Sequence, residues 1–141
     1  VKDVHTPLMK LYYAAISGLG YPTFEGEEPD DTLDKLYVVI NNVTSSDIST
    51  MNSTDVQAQV QVTINSWEVK YNNREALNEA ADAILQAVKL QPGSEFDMSA
   101  YNMQMLNLRV ITDRDQNYGK LAGRVYISRQ IIFDQHIFIK D

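Results

Sequence analysis

Cysteine is absent from the 141 residues, which removes disulfides, thiolate metal sites and thiol nucleophiles together. Cations are scarce. Lys and Arg number 12 against 19 Asp and Glu, for a net charge of −7. A chain this acidic is a poor wrapper of nucleic acid, whose phosphates reward neutralising cations. It also has no polybasic stretch for an anionic membrane surface. Apolar runs are short, and none approaches the length of a membrane span. The opening residues, Val1-Lys-Asp-Val-His-Thr-Pro, lack the charged-then-apolar plan of a signal peptide. With 44% apolar residues the chain has enough material for an ordinary core. The expectation is one soluble acidic domain over residues 1–141.

The motifs of common chemistries are missing too. No Gly-x-Ser-x-Gly elbow, no His-x-x-x-His spacing and no Lys-bearing phosphate loop occurs. The two histidines, His5 and His136, lie near opposite ends, and His136 sits in an apolar, strand-like context. Five acids, Glu25, Glu27, Glu28, Asp30 and Asp31, cluster in a Pro- and Gly-bearing stretch. Their spacing matches no cation-binding turn and reads as a solvated, self-repelling loop. Asp113-Arg-Asp-Gln-Asn resembles the start of a calcium loop but has Tyr118 where glycine is required and Arg124 where a bidentate glutamate is required. No catalytic residue, metal site or cofactor is expected.

What is present is pattern. Thr6 can cap a helix whose first position is Pro7, and Leu8, Leu11, Tyr12, Ala15, Ile16 and Leu19 form its apolar stripe. Gly18, Gly20 and Pro22 stop it, and a short extended piece is expected around Thr23 and Phe24. Leu36-Tyr-Val-Val-Ile-Asn-Asn-Val is a β-branched, aromatic strand. The polar tract 44–55 reads as a projecting loop or splayed strand ends. Val56, Ala58, Val60, Val62 and Ile64 then alternate with Gln57, Gln59, Gln61, Thr63 and Asn65, the period of a strand with one buried face. A second helix opens at Asn73, with Leu77, Ala81, Ile84 and Val88 on one face, and ends at Gln91-Pro-Gly. Leu106, Leu108 and Val110 alternate into a strand, and 112–123 reads as a hairpin loop. Val125, Ile127 and Ile131 mark a strand that reaches Ile139 either past a bulge or as a separate short strand. The succession predicts an α+β fold: an antiparallel or mixed sheet of four to five strands carrying two main helices.

The order of these pieces resembles the small tail terminator, or tail completion, proteins that join head and tail in bacteriophages. Four stretches carry the resemblance: the helix 7–19, the entry Tyr21-Pro-Thr-Phe-Glu-Gly-Glu-Glu-Pro-Asp-Asp-Thr into Leu36-Tyr-Val-Val-Ile, the alternating strand 56–64, and the helix after Asn73 with its closing strands. The resemblance implies a virion structural protein, assembled in the host cytoplasm and located in the phage tail or neck. Its subunits would form a homo-oligomeric ring against neighbouring connector or tail proteins, and DNA would pass through without sequence-specific binding. Under that reading the loops 44–55 and 112–123 are candidates for subunit contact or channel lining, around Asp47, Asp55 and Asp113. Drag on sliding DNA would favour an acidic or polar channel. The strand-borne cations Arg109, Arg124 and Arg129 are the candidates for pairing with carboxylates of a neighbour, so that replacing Arg124 and Arg129 weakens assembly but spares the fold. The competing classes are a small α+β enzyme, which needs convergent titratable groups in a pocket, and a protein-binding module, which needs one exposed apolar patch.

Overall fold

A computed structural model describes residues 3–26, 36–67, 73–88, 96–121 and 124–140. The elements run α1 (His5–Ser17), β1 (Thr23–Glu25), β2 (Tyr37–Asp47), β3 (Thr54–Trp67), α2 (Asn73–Val88), a 3-10 turn (Ser99–Tyr101), β4 (Met103–Leu121) and β5 (Arg124–Ile139). One five-stranded sheet has the order β1-β2-β3-β5-β4. β1 runs parallel to β2 and every other pairing is antiparallel, so the sheet is mixed and the fold is α+β.

α1 starts earlier than its capping signal suggests. Thr6 is already helical, and Val4, at the cap position, offers no side-chain hydrogen bond. Asp3 does the capping: its carboxylate accepts the backbone N–H of His5 at 2.9 Å and of Thr6 at 3.4 Å. The His5 bond is the main reason that the Asp3 carboxyl is held below the usual range. Leu8, Tyr12 and Ile16 are fully buried, but Leu19, expected on the stripe, lies past the helix end and is 39% exposed. Gly20 turns the chain at φ +94°, which a Cβ would strain.

The alternation in β3 places its apolar set on the helix side. Val56, Ala58, Val60, Val62 and Ile64 are buried together with Leu77, Ala80, Ala81, Ile84 and Val88 of α2. β5 follows the same phase through Ile127, Ile131, Phe133, Ile137 and Ile139. It is one unbroken strand, paired to β3 from Trp67↔Tyr126 to Thr54↔Ile139 with no bulge.

Two polar tracts are strand rather than loop. β2 continues to Asp47 and β3 begins at Thr54, so only 48–53 turns, and β4 runs through the supposed hairpin loop to Leu121. Backbone pairing with a neighbouring strand holds these segments, and it uses groups that every residue carries. The bulges lie elsewhere: in β4 between Met105 and Asn107, between Val110 and Thr112 and between Asn117 and Lys120, and in β2 between Ile40 and Asn42. Each shifts the phase by one residue. Leu106 is therefore turned outward at 46% exposure while Met103, Met105 and Leu108 are buried, and the expected face of Leu106, Leu108 and Val110 is split. The end of α2 at Gln91-Pro-Gly, residues 122–123 and the acids at 27, 28, 30 and 31 lie outside the described residues.

A polar relay crosses this core. The buried Tyr12 hydroxyl donates to Gln135 Oε1 at 2.5 Å, and Gln135 Nε2 donates to the Ala58 carbonyl at 2.7 Å. Gln135 occupies the apolar row of β5 and is 0% exposed, so α1, β5 and β3 are tied by satisfied bonds. Burial first, then the charge of Asp134, raises the Tyr12 hydroxyl well above its ordinary value of 10.0. The folded state thus keeps a proton that the unfolded chain gives up. The stability linked to Tyr12 is whole below the unfolded value and falls as pH rises past it, at up to about 1.4 kcal/mol per pH unit. Tyr12→Phe should cost about 1–2 kcal/mol at neutral pH by orphaning Gln135. It should also flatten the alkaline fall in melting temperature, measured from pH 8 to 11 beside the parent chain. An equally steep fall in Tyr12→Phe would rule out this linkage.

Candidate functional site

Both helices pack on one side of the sheet, α1 over β1 and β2 and α2 over β3 and β5. The opposite side carries amides, hydroxyls and a few charges beside the apolar Val39, Ile132 and Phe138. Register places Thr44 and Ser46 of β2, Gln57, Gln59 and Gln61 of β3, and His136 and Asp134 of β5 there. Asn107, Arg109 and Arg114 of β4 complete the row. Arg109 Nε donates to its cross-strand partner Asp134 at 3.0 Å; the arginine side chain is 61% exposed and the carboxylate 4%. Arg114 Nε reaches Gln130 Oε1 at 3.0 Å. His136 Nε2 meets Asp55 Oδ2 at 2.6 Å, which makes His136 a strand residue with a carboxylate partner. Three buried polar atoms on this side lack a partner: Asp55 Oδ1, Asn65 Nδ2 and Ser128 Oγ, the last two on directly opposed residues.

On the helix side, Arg129 is committed within its own chain. Its Nε and a terminal nitrogen each donate to one oxygen of Asp113 at 2.7 Å, and the other terminal nitrogen donates to Asn78 of α2 at 3.1 Å. The Asp113 carboxylate is the first cause of the raised Arg129 value. Replacing Arg129 with glutamate therefore strikes the fold, not assembly alone, because the substitution turns a bidentate pair into a like-charge contact. Arg109, with most of its side chain in solvent, is better placed than Arg129 to meet another molecule. Arg124 opens β5, and its side chain lies outside the described residues.

The three candidate acids do not converge. Asp47 ends β2 and Asp55 follows the start of β3, framing the turn 48–53, whereas Asp113 sits inside β4. Their rows meet β5 at Ile137 or beyond and at Ile131, about 20 Å apart along the strand. Hydrogen bonds from Ser49 hold the Asp47 carboxyl below the usual range. Among the described residues no group of three His, Asp or Glu side chains is placed to hold a metal ion. Among them, too, no helix is long and apolar enough to cross a membrane.

A groove of about 350 Å³ lies between the first turns of α1 and the β1–β2 edge, lined by His5, Thr6, Met9, Lys10, Glu25 and Val43. Within it His5 Nε2 and Ser45 Oγ are 2.9 Å apart, a base beside a hydroxyl. The nearby acid Asp3 spends its oxygens on backbone N–H groups and so does not orient the imidazole. The turn 48–53 carries Met51 wholly in solvent and Ile48 at 40% exposure. The sequence pointed to the polar tract as a whole and missed these two; an apolar pair inside a run of Ser, Thr and Asn was the available signal.

No known protein family matches the chain, and no curated protein does. A chain in the structure of the virion of a native gene transfer agent particle shares the fold with a TM-score of 0.63 at 14% identity, over 89% of this chain and 83% of that one.

Proposed function

We infer that this chain is a structural, non-enzymatic subunit of a phage-like virion, working as a ring at the head-to-tail joint or tail end. The observation that carries the reading is the fold shared along nearly the whole of both chains with a component of a virion particle. It agrees with the head-to-tail-joining resemblance of the sequence, which arises from different features. A ring needs two unlike complementary surfaces, and the molecule offers an exposed apolar turn, a groove and a charged outer strand at separate places.

The wall presented to DNA in such a ring is polar or acidic. On the outer face Arg109 is offset by Asp134, Arg114 is set against the neutral amide of Gln130, and the glutamine rows carry no charge. Passing duplex DNA then meets little electrostatic grip. The assembled protein should retain DNA weakly, with a shallow dependence on salt, against the steep loss seen when many phosphates are neutralised.

Deleting the gene in cells that make the particles tests the function. The expected outcome is filled heads and separate tails, or tails of uncontrolled length, with joining restored by the added protein. Fully joined particles from the deletion strain would remove this reading.

A further inference from the structure

We propose that the β2–β3 turn is a docking knob that seats in the α1 groove of a second copy of this chain. The turn is ordered. Ile48 N–H donates to the Asp55 carbonyl at 3.0 Å, Thr50 N–H to the Ser53 carbonyl at 2.9 Å, and Ser49 N–H to Asp47 Oδ1 at 2.8 Å. At its tip Met51 is 103% exposed, a large apolar side chain held in water on a hydrogen-bonded frame. Burying it on a partner removes that apolar surface from water, and the frame is already hydrogen-bonded before the partner arrives.

The groove matches the knob in chemistry. Met9 and Val43 provide an apolar floor, and Lys10 supplies a positive rim group. Asp47, at the base of the knob, is an exposed carboxylate held in its charged form by Ser49. Glu25 stands on the β1 wall of the groove and disfavours the carboxylate on that side, which orients Asp47 toward Lys10. A chain of net charge −7 repels its own copies, so a contact between copies has to use one of its few cations against one of its many acids. Knob and groove are different surfaces, so the contact can repeat head to tail from copy to copy, the heterologous arrangement that closes rings. This inference rests on the virion reading for its choice of a second copy as the occupant.

The absence of cysteine allows a direct test. Met51→Cys and Thr6→Cys, both at exposed positions, are mixed at high concentration and oxidised. Leu106→Cys, exposed on β4, replaces Thr6→Cys in the control. The expected result is at least tenfold more of the Met51–Thr6 cross-link than of the control pair. Lys10→Glu in the groove partner should reduce it about fivefold, and Asp47→Lys in the knob partner should restore it. Met9→Cys repeats the test at a second groove position. Cross-linking no better than the control, or dominated by Met51-to-Met51 pairs, overturns the proposal. Rings seen by microscopy without the cross-link discard this contact and leave the virion reading intact. A specific cross-link in a chain that never enters particles keeps the contact and discards the reading.

Discussion

Val60→Asp should leave the chain unfolded at room temperature. Val60 is 0% exposed in the middle of β3, paired with Val43 on one side and Phe133 on the other. A carboxylate there has no partner, and burying it costs several kcal/mol, about half or more of the stability of an ordinary domain. The control belongs on the other face. Gln59 is unsuitable, because it lies directly opposite the buried Asp134 and an acid there meets a like charge. Gln61, opposite Ile132 and Asn42, is the clean choice. Gln61→Asp should cost less than about 1 kcal/mol, since this half-buried position keeps contact with water. Circular dichroism and urea titration of the two variants settle the comparison. Equal damage from both would mean that the strand register is wrong.

The second large effect is expected at Arg129. Its side chain is 20% exposed and that of its bidentate partner Asp113 28%, so the pair lies at the surface with part of its solvent contact removed. Arg129→Glu sets a carboxylate against Asp113, with Asp115 and Asp82 close enough to act on the same site. The loss should be about 1–2 kcal/mol, above the worth of an ordinary surface pair because a bidentate attraction becomes a repulsion. Arg129→Met, which adds no charge, should lose less. Combining Arg129→Glu with Asp113→Arg should recover a good part of the loss, a coupling that a double-mutant cycle in urea measures directly. Additive losses with no recovery would show that the two side chains do not share an interaction. The same pair shows why an assembly assay on an Arg129 variant is informative only beside a stability measurement.

The legible parts of this fold are those where one face is buried along a whole element. β3 announces itself because five apolar residues alternate without interruption, and α2 because Leu77, Ala81, Ile84 and Val88 recur at helical spacing. β4 was hidden for the opposite reason. Two of its three bulges reset the phase at Leu106 and Ile111, and a bulge is specified by the partner strand, not by its own residue types. The tract 112–121 reads as loop because its residues are polar, yet the ladder with β5 depends on backbone groups that every residue carries. The start of α1 was misplaced because Asp3 and Thr6 are both good caps, and composition does not rank two caps three residues apart.

The candidate surfaces were less legible than the fold. Arg129, Asp113 and Asn78 come from three elements, so their convergence needs the completed sheet. By residue type alone Gln135 is a surface amide; its phase with Ile131, Phe133 and Ile137 puts it in the core beside Tyr12. The acids Asp47 and Asp55 were placed at the right turn, but Asp55 is turned toward His136 and Asp47 remains exposed. Met51, the most exposed apolar group among the large side chains described, carries no periodic signal at all.

The central claim is that this chain is a virion structural subunit, and imaging the particles tests it most directly. Cells that encode the chain would carry it with a small C-terminal tag, and purified particles would be labelled through the tag and viewed by electron microscopy. The account predicts label at one place, the head-to-tail joint or the end of the tail, with several copies arranged as a ring in the averaged density. Intact particles that carry no label, while the tagged chain stays free in the lysate, would contradict it.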